Sequence, residues 1–140
     1  KIPSKGQKIS NLIKEKILIN FNVDEETLKI VEQMQNIEQE FFTDKENPLF
    51  NWNQETIQKS FEEKKLQVQT ITQKFKEKRK ITSQEIQTWF SSNSAYGANL
   101  QTKLGVENLQ KIINLLEKAA PETIFDWQNE ISFFVICPNA

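Results

Sequence analysis

The chain has 140 residues, of which 18 are basic, 19 are acidic and none is histidine. The formal net charge of -1 excludes a global attraction to nucleic acid or to an anionic membrane, and the 26% share of charged residues is typical of a globular domain. Without histidine, neither a histidine-based catalytic triad nor a His–Cys zinc site can form. We expect a single domain over residues 1–140, cut from the C-terminal part of a longer protein because the chain begins at Lys1.

The first half of the chain has the apolar spacing of helices. Apolar residues recur at helical intervals from Ile9 to Ile17, which predicts a helix with one buried face. A second helix is predicted to begin near Asp24 and to end before Pro48. Its predicted buried stripe consists of Ile30, Met34, Ile37 and Phe41. A short third helix follows, with Asn51 or Asn53 as its N-cap.

A change of period marks the first predicted strand. Leu66 and Val68 alternate with glutamines, which is typical of a half-buried strand. The apolar parity then shifts to Ile71 and Phe75. This shift predicts either a β-bulge or a strand that is buried differently at its two ends.

The second half returns to helical spacing and closes with a strand. Thr82 and Glu85 have capping-box spacing, and Gly105 is predicted to end a short helix before a last helix that stops near Pro121. A final strand is predicted over residues 124–136, with both faces buried at its apolar end. The sequence therefore predicts an α+β fold, mainly helical, with five or six helices and two antiparallel strands.

The sharpest local charge feature is a basic segment at the end of the first predicted strand. It consists of Lys74, Lys76, Lys78, Arg79 and Lys80, with Glu77 among them. Four of its lysines would project from one strand face and could neutralise phosphates of DNA. The alternative is that these lysines only discourage edge-to-edge pairing of strands. Tyr96, in a segment of serine, asparagine and glycine, is predicted to be an exposed aromatic available for a partner.

No feature of the sequence points to chemistry in this chain. The three glycines lie far apart, so neither a phosphate-binding loop nor a dinucleotide fingerprint is present. We expect no catalytic residue, no metal ligand and no cofactor here, whether or not the parent protein is an enzyme. The single cysteine, Cys137, favours a reducing, cytoplasmic setting, and no apolar run approaches the ~18 residues of a membrane helix.

Several short segments can be compared with other proteins by their order along the chain. They are residues 2–7, 40–44, 47–53, 79–82, 89–90, 96–97 and Trp127 before the closing strand. This order resembles the far C-terminal part of the long, fused RarA-type (MgsA-type) AAA ATPases, which are replication-associated recombination factors with a methyltransferase-like extension. The resemblance implies a setting in DNA replication and repair, and a sheet that is the late part of a class I methyltransferase-like fold. It assigns no functional residue to this chain.

Three hypotheses of function follow. The first is a non-catalytic accessory domain of a DNA-maintenance ATPase, which contacts DNA or a replication protein and packs with the upstream domains of its parent. The second is the substrate-side part of an S-adenosylmethionine-dependent methyltransferase whose cofactor half is absent. The third is a helical protein-interaction module without a nucleic-acid role.

Overall fold

A computed structural model describes residues 2–3, 7–48 and 50–138 of the chain. Two of the segments that carry the resemblance are therefore described only in part. Residues 4–6 of the segment 2–7 and Leu49 of the segment 47–53 lie outside the described residues. In chain order the elements are β1 (Ile2–Pro3), α1 (Ile9–Leu12) with a π-helical continuation (Ile13–Ile17), α2 (Glu25–Thr43), α3 (Gln54–Glu62), β2 (Leu66–Arg79), α4 (Ser83–Trp89), α5 (Ala95–Leu104), α6 (Val106–Ala119), a 3-10 turn (Ala120–Glu122) and β3 (Phe125–Pro138). The predicted α+β, mainly helical fold is confirmed, with six α-helices and two long antiparallel strands in the described ranges.

Three helices begin at side-chain caps that lie at or near the positions where the sequence predicts helix starts. The Asp24 carboxylate accepts a hydrogen bond at 2.7 Å from a backbone N–H in the first turn of α2. Asn53 and Thr56 form a reciprocal capping box at the start of α3, and Thr82 and Glu85 form another at the start of α4. These caps fix where each helix begins because each joins residues only three positions apart.

The described residues form two compact units, here called the helical unit and the sheet unit. The helical unit comprises Lys8–Phe41 and Lys78–Trp127. It contains every hydrophobic side chain that is buried in the described part of the chain. These are Ile9, Leu12, Ile13, Ile17, Ile30, Val31, Met34, Ile81, Ile86, Phe90, Leu100, Leu104, Leu109, Ile112, Leu116, Ala119, Ala120 and Phe125. They form one continuous core, whose packing holds the helices of this unit together.

The stripe of α2 differs from the prediction in its second half. Ile30 and Met34 are buried as predicted, but Ile37 and Phe41 are only partly buried. The fully buried residue in this half is Glu38, a charged side chain that the predicted stripe does not include. The polar groups that meet Glu38 explain its position and are described with the candidate site.

The sheet unit contains β1, residues Phe42–Glu77 and the part of β3 from Gln128 onward. Its strand order is β1-β3-β2, and β1 pairs antiparallel with β3 at Ser132 and Ile131. The Thr72 hydroxyl lies 3.2 Å from the Ser132 hydroxyl, so these residues face each other across β2 and β3. Helix α3 lies on this face, because the side chains of Gln54 and Gln58 contact Thr72 and Thr70.

Strand β2 is one uninterrupted strand that is partly buried on one face at its beginning and exposed on both faces from Ile71 to Lys78. Leu66 and Val68 are partly buried, whereas Ile71 and Phe75 keep 45% and 46% of their surface exposed. The shift of apolar parity in the sequence therefore agrees with the second prediction, a strand that is buried differently at its two ends. The prediction that β3 is buried on both faces at its apolar end is wrong, because Val135 is 47% exposed. A single helix that packs against a small sheet covers only one face of that sheet.

Gly97 is required by a close approach of the backbone in the helical unit. A Cβ atom at this position would lie 2.1 Å from the Ser91 carbonyl oxygen and 2.8 Å from the Phe90 carbonyl carbon. Both atoms belong to the backbone, so neither can rotate away. The Ser94 hydroxyl accepts from the Gly97 N–H at 2.9 Å, which fixes the first turn of α5 against this loop.

We predict that Gly97→Ala lowers the free energy of unfolding by about 1–3 kcal/mol, the usual cost of forcing an extra carbon into a packed site. Urea unfolding followed by circular dichroism measures it. Ala95→Ser, at an exposed position of the same helical turn, is the control and should change stability by less than about 0.5 kcal/mol. Equal effects of the two substitutions would contradict this account of Gly97.

Candidate interaction surface and buried carboxylate cluster

In the sheet unit, Lys74 and Lys76 project from the same face of β2 because side chains alternate along a strand. The Lys74 ammonium lies 4.0 Å from the Glu130 carboxylate, and the Lys74 side chain is 79% exposed. Lys76 is exposed and has no ion-pair partner among the described residues. Such an exposed and distant pair contributes at most about 1 kcal/mol and is screened by salt. Both ammonium groups are therefore available to a ligand.

In the helical unit, Lys78 continues this alternation at the end of β2. Its ammonium lies 3.9 Å from the Asp126 carboxylate, and its side chain is 81% exposed. Asp126 also pairs with Lys16, so two cations share this carboxylate. Lys78 is consequently held no more firmly than Lys74 and presents its charge to solvent.

Arg79 and Lys80 both make contacts within the fold, although Lys80 is itself exposed. The Arg79 guanidinium donates to the Glu85 carboxylate at 2.8 Å and lies over the Trp127 ring at 4.2 Å from its centroid. Lys80 follows the last residue of β2, and its ammonium donates to the Pro121 carbonyl oxygen at 2.8 Å. The prediction that Lys80 shares the strand face of the other lysines is wrong, because the strand ends one residue earlier.

Arg79 also belongs to the cap of α4. A hydrogen bond from the Thr82 backbone N–H lowers the pKa of Glu85, and the charge of Arg79 adds to this effect. Trp127 stacks with Trp89 at a centroid distance of 5.7 Å. Guanidinium, carboxylate and indole rings thus form one assembly that anchors the start of β3 to α4. Both tryptophans are partly buried and pack against the core.

Tyr96 does not lie in a loop. The loop ends at Ser94, which caps α5, so Tyr96 falls in the first turn of that helix. Its ring packs edge-on against Phe41 at 6.0 Å and near Phe90 at 5.9 Å. Its hydroxyl donates a hydrogen bond to the Glu38 carboxylate at 2.6 Å. The expected exposure of this ring is therefore wrong.

The Glu38 carboxylate of α2 is fully buried and is surrounded by donors from two other helices, α1 and α5. It accepts hydrogen bonds from the backbone N–H groups of Ile9 at 3.0 Å and Ser10 at 3.2 Å, from the Ser10 hydroxyl, and from Tyr96. Helix α1 has no side-chain cap of its own at Lys8. Glu38 from α2 supplies that cap across the core, so one carboxylate joins α1, α2 and α5.

The same burial shifts the protonation of both acidic groups in the cluster. Burial raises the pKa of Glu38 above 4.5, although the hydrogen bonds from Ser10 and Tyr96 oppose this shift. Burial, followed by the charge of Glu38, raises the pKa of Tyr96 well above 10.0. A general base must reach a proton of its substrate, and Glu38 is 0% exposed. The cluster is therefore suited to holding helices together, not to proton transfer.

The acidic residues after Glu38 do not converge on a common point. Glu40 pairs with Lys103 at 3.2 Å, and the Asp44 carboxylate accepts from the Glu46 backbone N–H at 2.9 Å. Within residues 7–48 and 50–138, no three histidine, cysteine, aspartate or glutamate side chains are grouped as metal ligands would be. In the same ranges, no helix combines the length and apolar character needed to cross a membrane.

Comparison of the chain with protein-family models, with curated proteins and with solved structures gave no match.

We predict that Tyr96→Phe lowers the free energy of unfolding by about 1–3 kcal/mol, because it removes one donor from a buried carboxylate and leaves the ring in place. Thr102→Ala removes an exposed hydroxyl from the same helix and should cost less than about 0.5 kcal/mol. The double variant with Glu38→Gln should show a coupling energy of about 0.5–3 kcal/mol in a double-mutant cycle. Strict additivity would mean that the two side chains do not interact.

A pH dependence also follows from Glu38. The pKa of Glu38 is raised in the folded state, so protonation of this residue favours folding. Its contribution to the free energy of unfolding is fully present below pH 4.5 and is lost as the pH rises through the folded-state pKa. The free energy of unfolding of the wild type relative to Glu38→Gln should therefore shift in favour of the wild type as the pH falls. Subtracting the variant removes the contribution of the other carboxylates. A shift of opposite sign would contradict the raised pKa.

Proposed function

We propose that this chain is a non-catalytic accessory domain that contacts DNA through the lysine side chains of β2. The observation that carries the proposal is the exposure of Lys74 in the sheet unit, whose side chain is 79% exposed and whose ammonium lies 4.0 Å from the Glu130 carboxylate. Lys76, two residues further along the same strand and in the same unit, is exposed as well. Ammonium groups held this loosely can exchange a distant carboxylate for a phosphate of DNA at little cost.

The setting of this contact comes from the resemblance to the fused RarA-type ATPases. A domain that accompanies a DNA-maintenance ATPase in the cytoplasm needs affinity for the nucleic-acid backbone, and it needs no reactive group of its own. Phosphate contacts of this kind position a protein on DNA without reading its sequence. The domain would thus help its parent protein to stay on DNA, while the upstream domains perform the chemistry.

A cross-strand carboxylate limits the strength of the proposed contact. Within the sheet unit, the Glu130 carboxylate lies 4.0 Å from the Lys74 ammonium and partly neutralises its charge. The net positive charge of this surface is therefore small, and binding should be weak and strongly dependent on salt. This expectation agrees with an accessory role, in which the parent protein supplies further DNA contacts.

A second candidate, contact with a protein partner, is favoured by a separate observation. Ile71 and Phe75 lie on the opposite face of β2 from the lysines and are nearly half exposed. Phosphates of DNA offer nothing apolar to cover these side chains. A polypeptide partner does offer apolar side chains that could cover them.

We predict that Lys74→Glu/Lys76→Glu weakens binding to duplex DNA about tenfold or more at low salt, because two phosphate contacts become repulsive. Fluorescence anisotropy with a labelled duplex measures this at several salt concentrations. The wild type should show a linear fall of log K with log salt, and the variant should show a shallower slope.

The matched control is Lys59→Glu/Lys64→Glu, which makes the same change of charge at two exposed positions outside β2. It should weaken DNA binding less than about twofold. Lys78→Glu tests the end of the strand that lies in the helical unit. Absence of DNA binding by the wild type at low salt, or equal losses in the variant and the control, would contradict the proposal.

A further inference from the structure

The sheet unit lacks the buried core that the helical unit has. None of the hydrophobic side chains described in the sheet unit is fully buried. Four large ones on its strands, Ile71, Phe75, Val135 and Ile136, keep 40% to 47% of their surface exposed. Burial of apolar surface is the main source of stability in a folded unit, and each buried side chain of this size contributes about 1.5–3 kcal/mol. The strands of this unit therefore have unused capacity for burial against a partner.

The free edge of β2 is the second feature. In the strand order β1-β3-β2, β2 is the end strand and pairs with β3 on one side only. It is 14 residues long, so a long row of backbone N–H and C=O groups on its outer side has no strand partner in the described part of the chain. An edge of this length accepts an added strand, because each such group is a ready hydrogen-bonding partner for another backbone.

The side chains along this edge differ between the two faces of the sheet. Lys74 and Lys76 project from one face, and Ile71 and Phe75 from the other. Helix α3 contacts the lysine face at Thr70 and Thr72, and its first residue is Gln54, so the contacts stop short of the lysines. An added strand would place its own alternate side chains on the same two faces.

From these features we propose that the outer edge of β2, between residues 71 and 76, binds an extended polypeptide segment in which acidic and apolar residues alternate. Its backbone would pair with β2, its acidic side chains would meet Lys74 and Lys76, and its apolar side chains would cover Ile71 and Phe75. This proposal does not require that the lysines bind DNA. It concerns the backbone edge and the apolar face, which DNA contact leaves unused.

Charge also argues against a second copy of this chain as the occupant. Pairing of two β2 edges would set the lysines of one copy beside those of the other on the same face. Like charges directly opposite each other destabilise a strand pair. The lysines on this edge therefore disfavour pairing with a second copy of the chain and favour pairing with an acidic partner. Both proposed roles of the basic segment, binding a ligand and discouraging edge-to-edge pairing, are compatible with this arrangement.

The test uses the full 140-residue chain and a short synthetic peptide of alternating glutamate and valine. Binding is measured by fluorescence anisotropy, and backbone amide exchange is followed by NMR. A peptide of the same composition with its glutamates and valines in two blocks, and an alternating lysine–valine peptide, are the controls. We expect the alternating acidic peptide to bind at least about tenfold more tightly than either control and to slow amide exchange in β2.

The variant Ile71→Thr/Phe75→Thr places β-branched residues, which favour strands, at both positions and removes the apolar face, and it should weaken binding of the peptide about tenfold. Val135→Thr makes the same kind of change on β3, away from the edge, and should weaken it less than about twofold. Circular dichroism checks that both variants fold. Lys74→Gln/Lys76→Gln provides a second variant, which should remove the preference for the acidic peptide over the lysine–valine peptide.

Three results would overturn the proposal: no binding of the alternating acidic peptide, equal binding of the block peptide, or protection of amides outside β2 only. Duplex DNA is tested in parallel. If DNA binds and the peptide does not, the proposed function stands and the strand-edge proposal fails. If the peptide binds and DNA does not, the outcome is the reverse, so the two can fail separately.

Discussion

The buried carboxylate of Glu38 is the interaction on which the helical unit depends. Backbone N–H groups at the start of a helix need acceptors, and those of Ile9 and Ser10 are buried. Lys8 offers them no side-chain oxygen. Without Glu38 these donors would be left unsatisfied in an apolar core, at a cost of about 1–3 kcal/mol each.

The carboxylate in turn needs its donors. A charge removed from water is costly unless hydrogen bonds replace its hydration, and Glu38 receives them from Ile9, Ser10 and Tyr96. The requirement is mutual, so α1, α2 and α5 are held in one arrangement that apolar packing alone would not specify. The sheet unit, with its half-exposed apolar strands and loosely paired lysines, is better suited to contacting a partner.

Features that depend on neighbours in sequence could be predicted, and those that depend on distant residues could not. The caps at Asp24, Asn53 and Thr82 each join residues three apart, so spacing reveals them. Glu38 meets Ile9 and Tyr96, which lie 29 and 58 residues away. One signal was nonetheless present, because Glu38 follows Met34 and Ile30 at the four-residue spacing of the buried stripe.

The candidate surface on β2 was likewise predictable only in part. Alternation predicts that Lys74 and Lys76 project from one strand face, and the structure places both of them in β2 with exposed side chains. Arg79 contacts Glu85 of α4 and Trp127 of β3, and no local sequence pattern predicts these contacts. Ile71 and Phe75 are exposed because no other element in the described part of the chain buries them. A periodic apolar pattern cannot indicate whether such an element is present.

The most direct test of the role of Glu38 is a carbon-13 NMR titration of its side-chain carboxyl in the folded protein. The account predicts a midpoint above pH 4.5, with the amide resonances of Ile9 and Ser10 and the ring resonances of Tyr96 shifting at the same midpoint. A midpoint at or below pH 4.5, with Ile9, Ser10 and Tyr96 unaffected, would show that this carboxylate is solvated and does not hold the three helices together.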